Sequence, residues 1–210
     1  CQSINNRHST HHTMLGPLRN ILTRLQPPVA LEGIAAGRPW KMASGAPSRD
    51  YVKGRELRAR GELGIDDDIA VLVMNRFLKS SLEGPAYDRY IDTEQTLADA
   101  SMPEELRWLA TYEEIRGGTE LPREFLRRYA VLAAQRTQAL AWIDEALIDQ
   151  LMNWPQPGPG PEVPFILMLL RGKAYLRMQH EPTTSTVSKH AAALFTHACE
   201  SAVRAFAEKA

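Results

Sequence analysis

The sequence predicts an all-α fold, an irregular set of helical hairpins behind a flexible N-terminal tether. Three observations predict it: apolar residues recur three or four apart along most of the chain, the segments they form carry helix start and stop signals, and strand signals are few. At 210 residues the chain is long enough for one compact domain with tails. Its 44% hydrophobic and 24% charged residues exclude a wholly disordered or collagen-like chain.

The charge is uneven although it sums to zero. Residues 1–60 hold ten Lys and Arg against three acids, and residues 61–150 hold nine against eighteen. A basic first third suits an anionic surface or the acidic middle of the same chain. The longest apolar run, VPFILMLL before Arg171, falls far short of the roughly 20 residues that cross a bilayer.

Residues 1–13 are polar and unpatterned, which suits a tether. Residues 14–47 read as a short amphipathic helix, 14–26, followed by a linker. In the helix Leu15, Leu18, Ile21, Leu22 and Leu25 form one stripe; in the linker, KMASGAPS has the small turn-forming residues. Residues 48–210 read as the helical domain. Ser48 is placed to cap RDYVKGRELRARGELG, and Asp66, Asp67 and Asp68 suit the start of a helix over IAVLVMNRFLKSS.

SMPEELRWLATYEEIRGG is the clearest local signal, with Ser101, Pro103 and Glu104 opening a helix that Gly117 and Gly118 end. Phe125, Tyr129, Leu132, Leu140, Ile143, Leu147, Leu151 and Trp154 then predict one helix on the order of 50 Å long. The Pro/Gly-rich stretch at 155–162 must break it, because proline lacks a donor and clashes with the preceding turn. VPFILMLLRGKAYLRMQ and VSKHAAALFTHACESAVRAFAEKA close the chain as two further helices.

Two resemblances rest on particular residues. CQSINN resembles the mature end of a bacterial lipoprotein, whose first cysteine carries a diacylglycerol. That implies Cys1 as the lipid attachment, the membrane reached through it, and the amphipathic helix 14–26 as a candidate second anchor. Gln2 in place of aspartate implies the periplasmic face of the outer membrane, with the cytoplasm as the alternative address. In the last helix pair Gly172 and Tyr175, then Ala191, Phe195 and Ala198, resemble the tetratricopeptide pattern; Gly54, Gly61, Ala70, Met74 and Phe77 make a poorer match. Its loop is too long for that family, and Met168 and Arg171 depart from its pattern. If it holds, Arg55, Arg58, Lys173 and Arg177 would line a groove for an acidic peptide or a C-terminal carboxylate.

Motifs for phosphate cradling, zinc hydrolysis or a serine elbow are absent from the sequence, and Cys1 and Cys199 are its only cysteines. No cofactor, metal or nucleic acid is expected. The expected function is therefore a non-enzymatic, envelope-tethered interaction protein, either an accessory subunit of an assembly or an immunity protein. Two alternatives stand beside it: a small helical enzyme pairing His190 or His197 with Glu145 or Glu200, and a soluble intracellular helical binding domain.

Overall fold

A computed structural model describes residues 29–84, 104–156, 158–181 and 185–207. The tether at 1–13, with Cys1, and the helix at 14–26 lie outside these residues. An eight-stranded antiparallel sheet runs through the molecule, its strands, counted in chain order, standing 1-2-3-8-7-4-6-5, which overturns the all-α and tetratricopeptide-like expectations. The strands are β1 Ala30–Ala35, β2 Arg38–Gly45, β3 Glu56–Glu62, β4 Val71–Asn75, β5 Glu113–Glu114, β6 Tyr129–Ala133, β7 Phe165–Leu170 and β8 Lys173–Gln179. The helices are α1 Arg76–Leu82, α2 Glu104–Thr111, α3 Arg123–Arg128, α4 Arg136–Trp142, α5 Glu145–Met152 and α6 Ser185–Phe206.

Five of the eight strands show why helical spacing misleads. β4, β6 and β7 are unbroken apolar runs buried on both faces, as befits the centre of a sheet, and such runs carry no period. β3 and β8 alternate with period two, Leu57, Ala59, Ala174, Leu176 and Met178 inward and Arg58, Arg60, Tyr175 and Arg177 outward, but are written in helix-favouring residues. The expected 50 Å helix is therefore three short helices with β6 set between the first two.

Two glycines of the tetratricopeptide reading have other work. Arg171 (φ 51°) and Gly172 (φ 70°) form a two-residue β7–β8 hairpin loop, and Ala36 and Gly37 form the matching loop between β1 and β2. Gly61 sits in β3, where a Cβ would come within 3.3 Å of Cys199 Sγ on α6. Its want of a side chain lets the helix lie close on the sheet. The three aspartates form a turn ahead of β4 and not a helix start: Asp68 N donates to Asp66 Oδ1 at 2.9 Å.

On the inner face of the sheet, α6 presents Val187, Ala191, Leu194, Phe195, Ala198 and Ala202 to the strands, the three-and-four spacing of a packed helix face. α4 and α5 lie beside it, joined by Trp142 Nε1 donating to Ala198 O at 2.9 Å and Ser201 Oγ donating to Trp142 O at 2.8 Å. On the outer face, Leu78 of α1 and Trp108 of α2 cover Leu72, Met74, Leu132, Ile166 and Met168 of β4, β6 and β7. The outer side of β2, β3 and β8 has no helix over it among the described residues.

His180, just past β8, is 2% exposed, and neither ring nitrogen has a hydrogen-bond partner among the described residues. Burial and the charge of Arg55 hold its pKa below the usual histidine range against the opposing pull of Glu181. The folded state therefore keeps the imidazole neutral, while the unfolded chain takes up a proton below about pH 6.5. The resulting stability is full above that pH and is lost as pH falls toward the folded pKa. We expect the urea midpoint to drop between pH 7.5 and pH 5.5, and to drop less in His180→Leu; an equal drop in both proteins would contradict the assignment.

Candidate functional site

The strand register places the outward side chains of the open half in rows. Lys41 of β2 faces Arg60 of β3, Arg60 faces Tyr175 of β8, and Tyr175 faces Met168 of β7. In the neighbouring row Arg58 faces Arg177, which faces Ile166. The rows pass from cationic to apolar as they approach the roof formed by α2.

Three connected depressions follow this gradient. The first, about 320 Å³, is lined by Lys41, Arg58, Arg60, Tyr175 and Arg177 with Met168. The second, about 150 Å³, shares Met168, Tyr175 and Arg177 with the first and adds Glu104, Trp108, Leu170 and Arg171. The third, about 280 Å³, shares Glu104, Trp108, Leu170 and Arg171 with the second and ends at Asp67, Asp68, Arg107 and Tyr112, so the acids lie at the end away from Lys41. Together they form a groove with an apolar floor at its middle and cations along one end.

A buried ion cluster holds one wall of the groove. Arg177 Nη1 donates to Glu105 Oε1 of α2 at 2.7 Å, and its Nε lies 2.7 Å from Glu56 Oε1 of β3. Both carboxylates are almost wholly buried. Glu105 Oε1 also accepts from Arg49 Nε at 2.5 Å and from the Tyr51 hydroxyl at 3.0 Å, while Glu56 Oε2 accepts from Ser48 N at 2.6 Å. Burial, together with the Glu105 carboxylate, pushes the Tyr51 hydroxyl up, so it stays a donor. For Arg49 burial works toward a lower pKa, but the hydrogen bond to Glu105 and its charge raise it overall. The cluster ties the β2–β3 loop and the first turn of α2 to the sheet.

The cations toward the solvent are less neutralised. Lys41 and Arg171 have no ion pair among the described residues, and Arg58 Nε is 4.0 Å from Glu56. Arg60 is paired with Glu62 at 2.5 Å and its guanidinium lies 6.0 Å from the centre of the Tyr175 ring, while Lys173 lies 3.5 Å from Glu62. Arg171 is held at φ 51°, a conformation that costs a non-glycine residue on the order of 1 kcal/mol, and projects from the hairpin loop into the groove lining.

Of the four residues expected at a partner groove, Arg58, Lys173 and Arg177 share the outer face of two paired strands. Arg177 is taken up in the ion cluster. Arg55 lies elsewhere, next to His180 on the inner side, where its carbonyl accepts from His180 N at 3.0 Å and its Nη2 is 3.5 Å from Ser44 Oγ. Sequence reasoning missed Lys41, Arg60, Arg171, Tyr175 and Trp108. The period-two alternation of ELRARGE and KAYLRMQ was the signal that would have found Arg60 and Tyr175.

The histidines of the enzymatic alternative are engaged in helix packing. His190 Nε2 is 2.8 Å from Gln150 O, and its ring lies 4.7 Å from that of Trp154. His197 Nε2 is 2.8 Å from Asp144 Oδ1, with Glu145 and Glu200 exposed nearby in sequence. Asp144 caps α5 through Leu147 N and also takes Ser201 Oγ at 3.2 Å and Arg204 Nη2 at 2.8 Å. Here the carboxylate stands between serine and histidine, whereas nucleophilic activation needs the histidine in the middle. Cys199 is buried, and burial pushes its thiol up to about 12.

No protein family model, curated protein or solved structure matches this chain.

Arg177 is the residue on which the groove wall depends. Replacing it by methionine leaves two buried carboxylates without their shared cation, which costs roughly 3–5 kcal/mol. We expect Arg177→Met to unfold at a much lower urea concentration than the parent; a change below about 1 kcal/mol would show that the cluster does not hold α2.

Proposed function

We propose that this protein is a non-enzymatic protein–protein interaction protein that takes an extended acidic segment of a partner along the groove of the open sheet face. The observation that carries the reading is the set of weakly neutralised cations, Lys41, Arg58 and Arg171, around the apolar floor of Met168, Tyr175 and Leu170. Exposed cations steer an acidic partner and reject a basic one. A dry aromatic and aliphatic floor supplies the affinity that rim charges alone do not. The outward side chains of a sheet stand about 5 Å apart between strands, a spacing that extended chain matches better than helix.

In this reading the partner is an acidic stretch of an assembly component or the acidic surface of a toxin that the protein masks. The histidines give the enzymatic alternative little support, since both are committed to contacts between α5 and α6.

The test uses a labelled twelve-residue peptide alternating glutamate and leucine, and a second peptide with lysine in place of glutamate. Fluorescence polarisation on the full chain should show salt-sensitive binding of the acidic peptide, weakened at least about tenfold in the double variant Lys41→Gln, Arg58→Gln. Both positions are exposed and glutamine sets no carboxylate against Glu32 or Glu56, so the variant should stay close to the parent's melting temperature. Equal binding by parent and variant, or preference for the basic peptide, would refute the proposal.

A further inference from the structure

The two edges of the sheet differ. Among the described residues β5 is two residues long and offers almost nothing to a further strand, whereas β1 is six residues long and paired on one side only. β1, ALEGIA, has no lysine, no proline and no bulge in its register with β2, and its one protective charge is Glu32. Of the three exposed large apolar side chains among the described residues, two are on it, Ile34 at 71% and Leu31 at 37%. Trp40 lies across Gly33 so closely that a Cβ there would fall 2.4 Å from the indole. The buried indole N–H has no hydrogen-bond partner among the described residues.

We infer that β1 is an interface at which a second copy of this chain adds its own β1 in antiparallel pairing about a two-fold axis. Such pairing is self-closing: the one long edge is used once by each copy, and the far edge is too short to continue a filament. A two-fold axis perpendicular to the sheet keeps every side chain on its own face, so facing residues must both be even-numbered or both odd-numbered. A register centred on Glu32 sets two carboxylates against each other and is disfavoured. The other register of equal length is centred on Gly33, where Gly33 meets Gly33 and Glu32 of each copy faces Ile34 of the other. That register buries Ile34, the most exposed large apolar residue among those described, and places no like charges directly opposite.

The register makes two substitutions at one exposed position behave differently. Ile34→Glu sets a carboxylate against Glu32 of the second copy, twice per dimer, while Ile34→Lys sets an ammonium there. Sedimentation equilibrium of the full chain from about 1 to 200 µM should show a monomer–dimer equilibrium, weakened about tenfold or more in Ile34→Glu and close to the parent in Ile34→Lys. Far-UV circular dichroism checks that both variants fold. A parent that stays monomeric throughout this range, or two variants that shift the equilibrium alike, would overturn the inference. So would a dimer insensitive to both.

Discussion

Arg177 of β8 reaches two buried carboxylates that come from different parts of the chain, Glu56 at the start of β3 and Glu105 in the first turn of α2. Neither acid tolerates burial alone, because an unpaired ionised carboxylate in a low-dielectric interior costs several kcal/mol. The arrangement of the outer face follows from where this cation sits. It holds one end of α2 over β7 and β4, where Trp108 completes the apolar packing, and among the described residues nothing roofs β2, β3 and β8.

The same cluster explains why a row of cations on adjacent strands is tolerated. Arg58 and Arg177 are directly opposed across β3 and β8, a like-charge pair that would be unfavourable by itself. Glu56 and Glu105, both buried, neutralise Arg177, so that the charge facing solvent comes from Arg58 and its neighbours. The groove is thus basic at its rim and structurally anchored beneath, and its apolar middle is the exposed margin of a packed layer.

Local sequence showed the helices with one polar side and concealed the strands with none. α6 and α2 were legible because three-and-four spacing and charged outer faces survive in them. Tyr129–Ala133 and Phe165–Leu170 were not, since a strand buried on both faces reads as an apolar run and Ala and Leu favour helix on intrinsic grounds. Arg171–Gly172 was a hairpin signal hidden by an unusual first residue: arginine rarely adopts positive φ. Of the site, Arg58, Lys173 and Arg177 were grouped with Arg55 through the tetratricopeptide-like pattern, whereas period two on paired strands is what puts the three on one face. Lys41 was illegible because its place depends on β2 pairing with β3, a contact that no local pattern encodes.

The account stands most directly on the coupling between Arg177 and Glu105. A double-mutant cycle with Arg177→Met and Glu105→Gln, read by urea unfolding, isolates their interaction from the loss of either side chain alone. The structure predicts a coupling energy above about 1 kcal/mol, with the double variant less destabilised than the sum of the singles. Additivity within about 0.5 kcal/mol would contradict it and remove the physical basis for a roof over one half of the sheet and an open groove on the other.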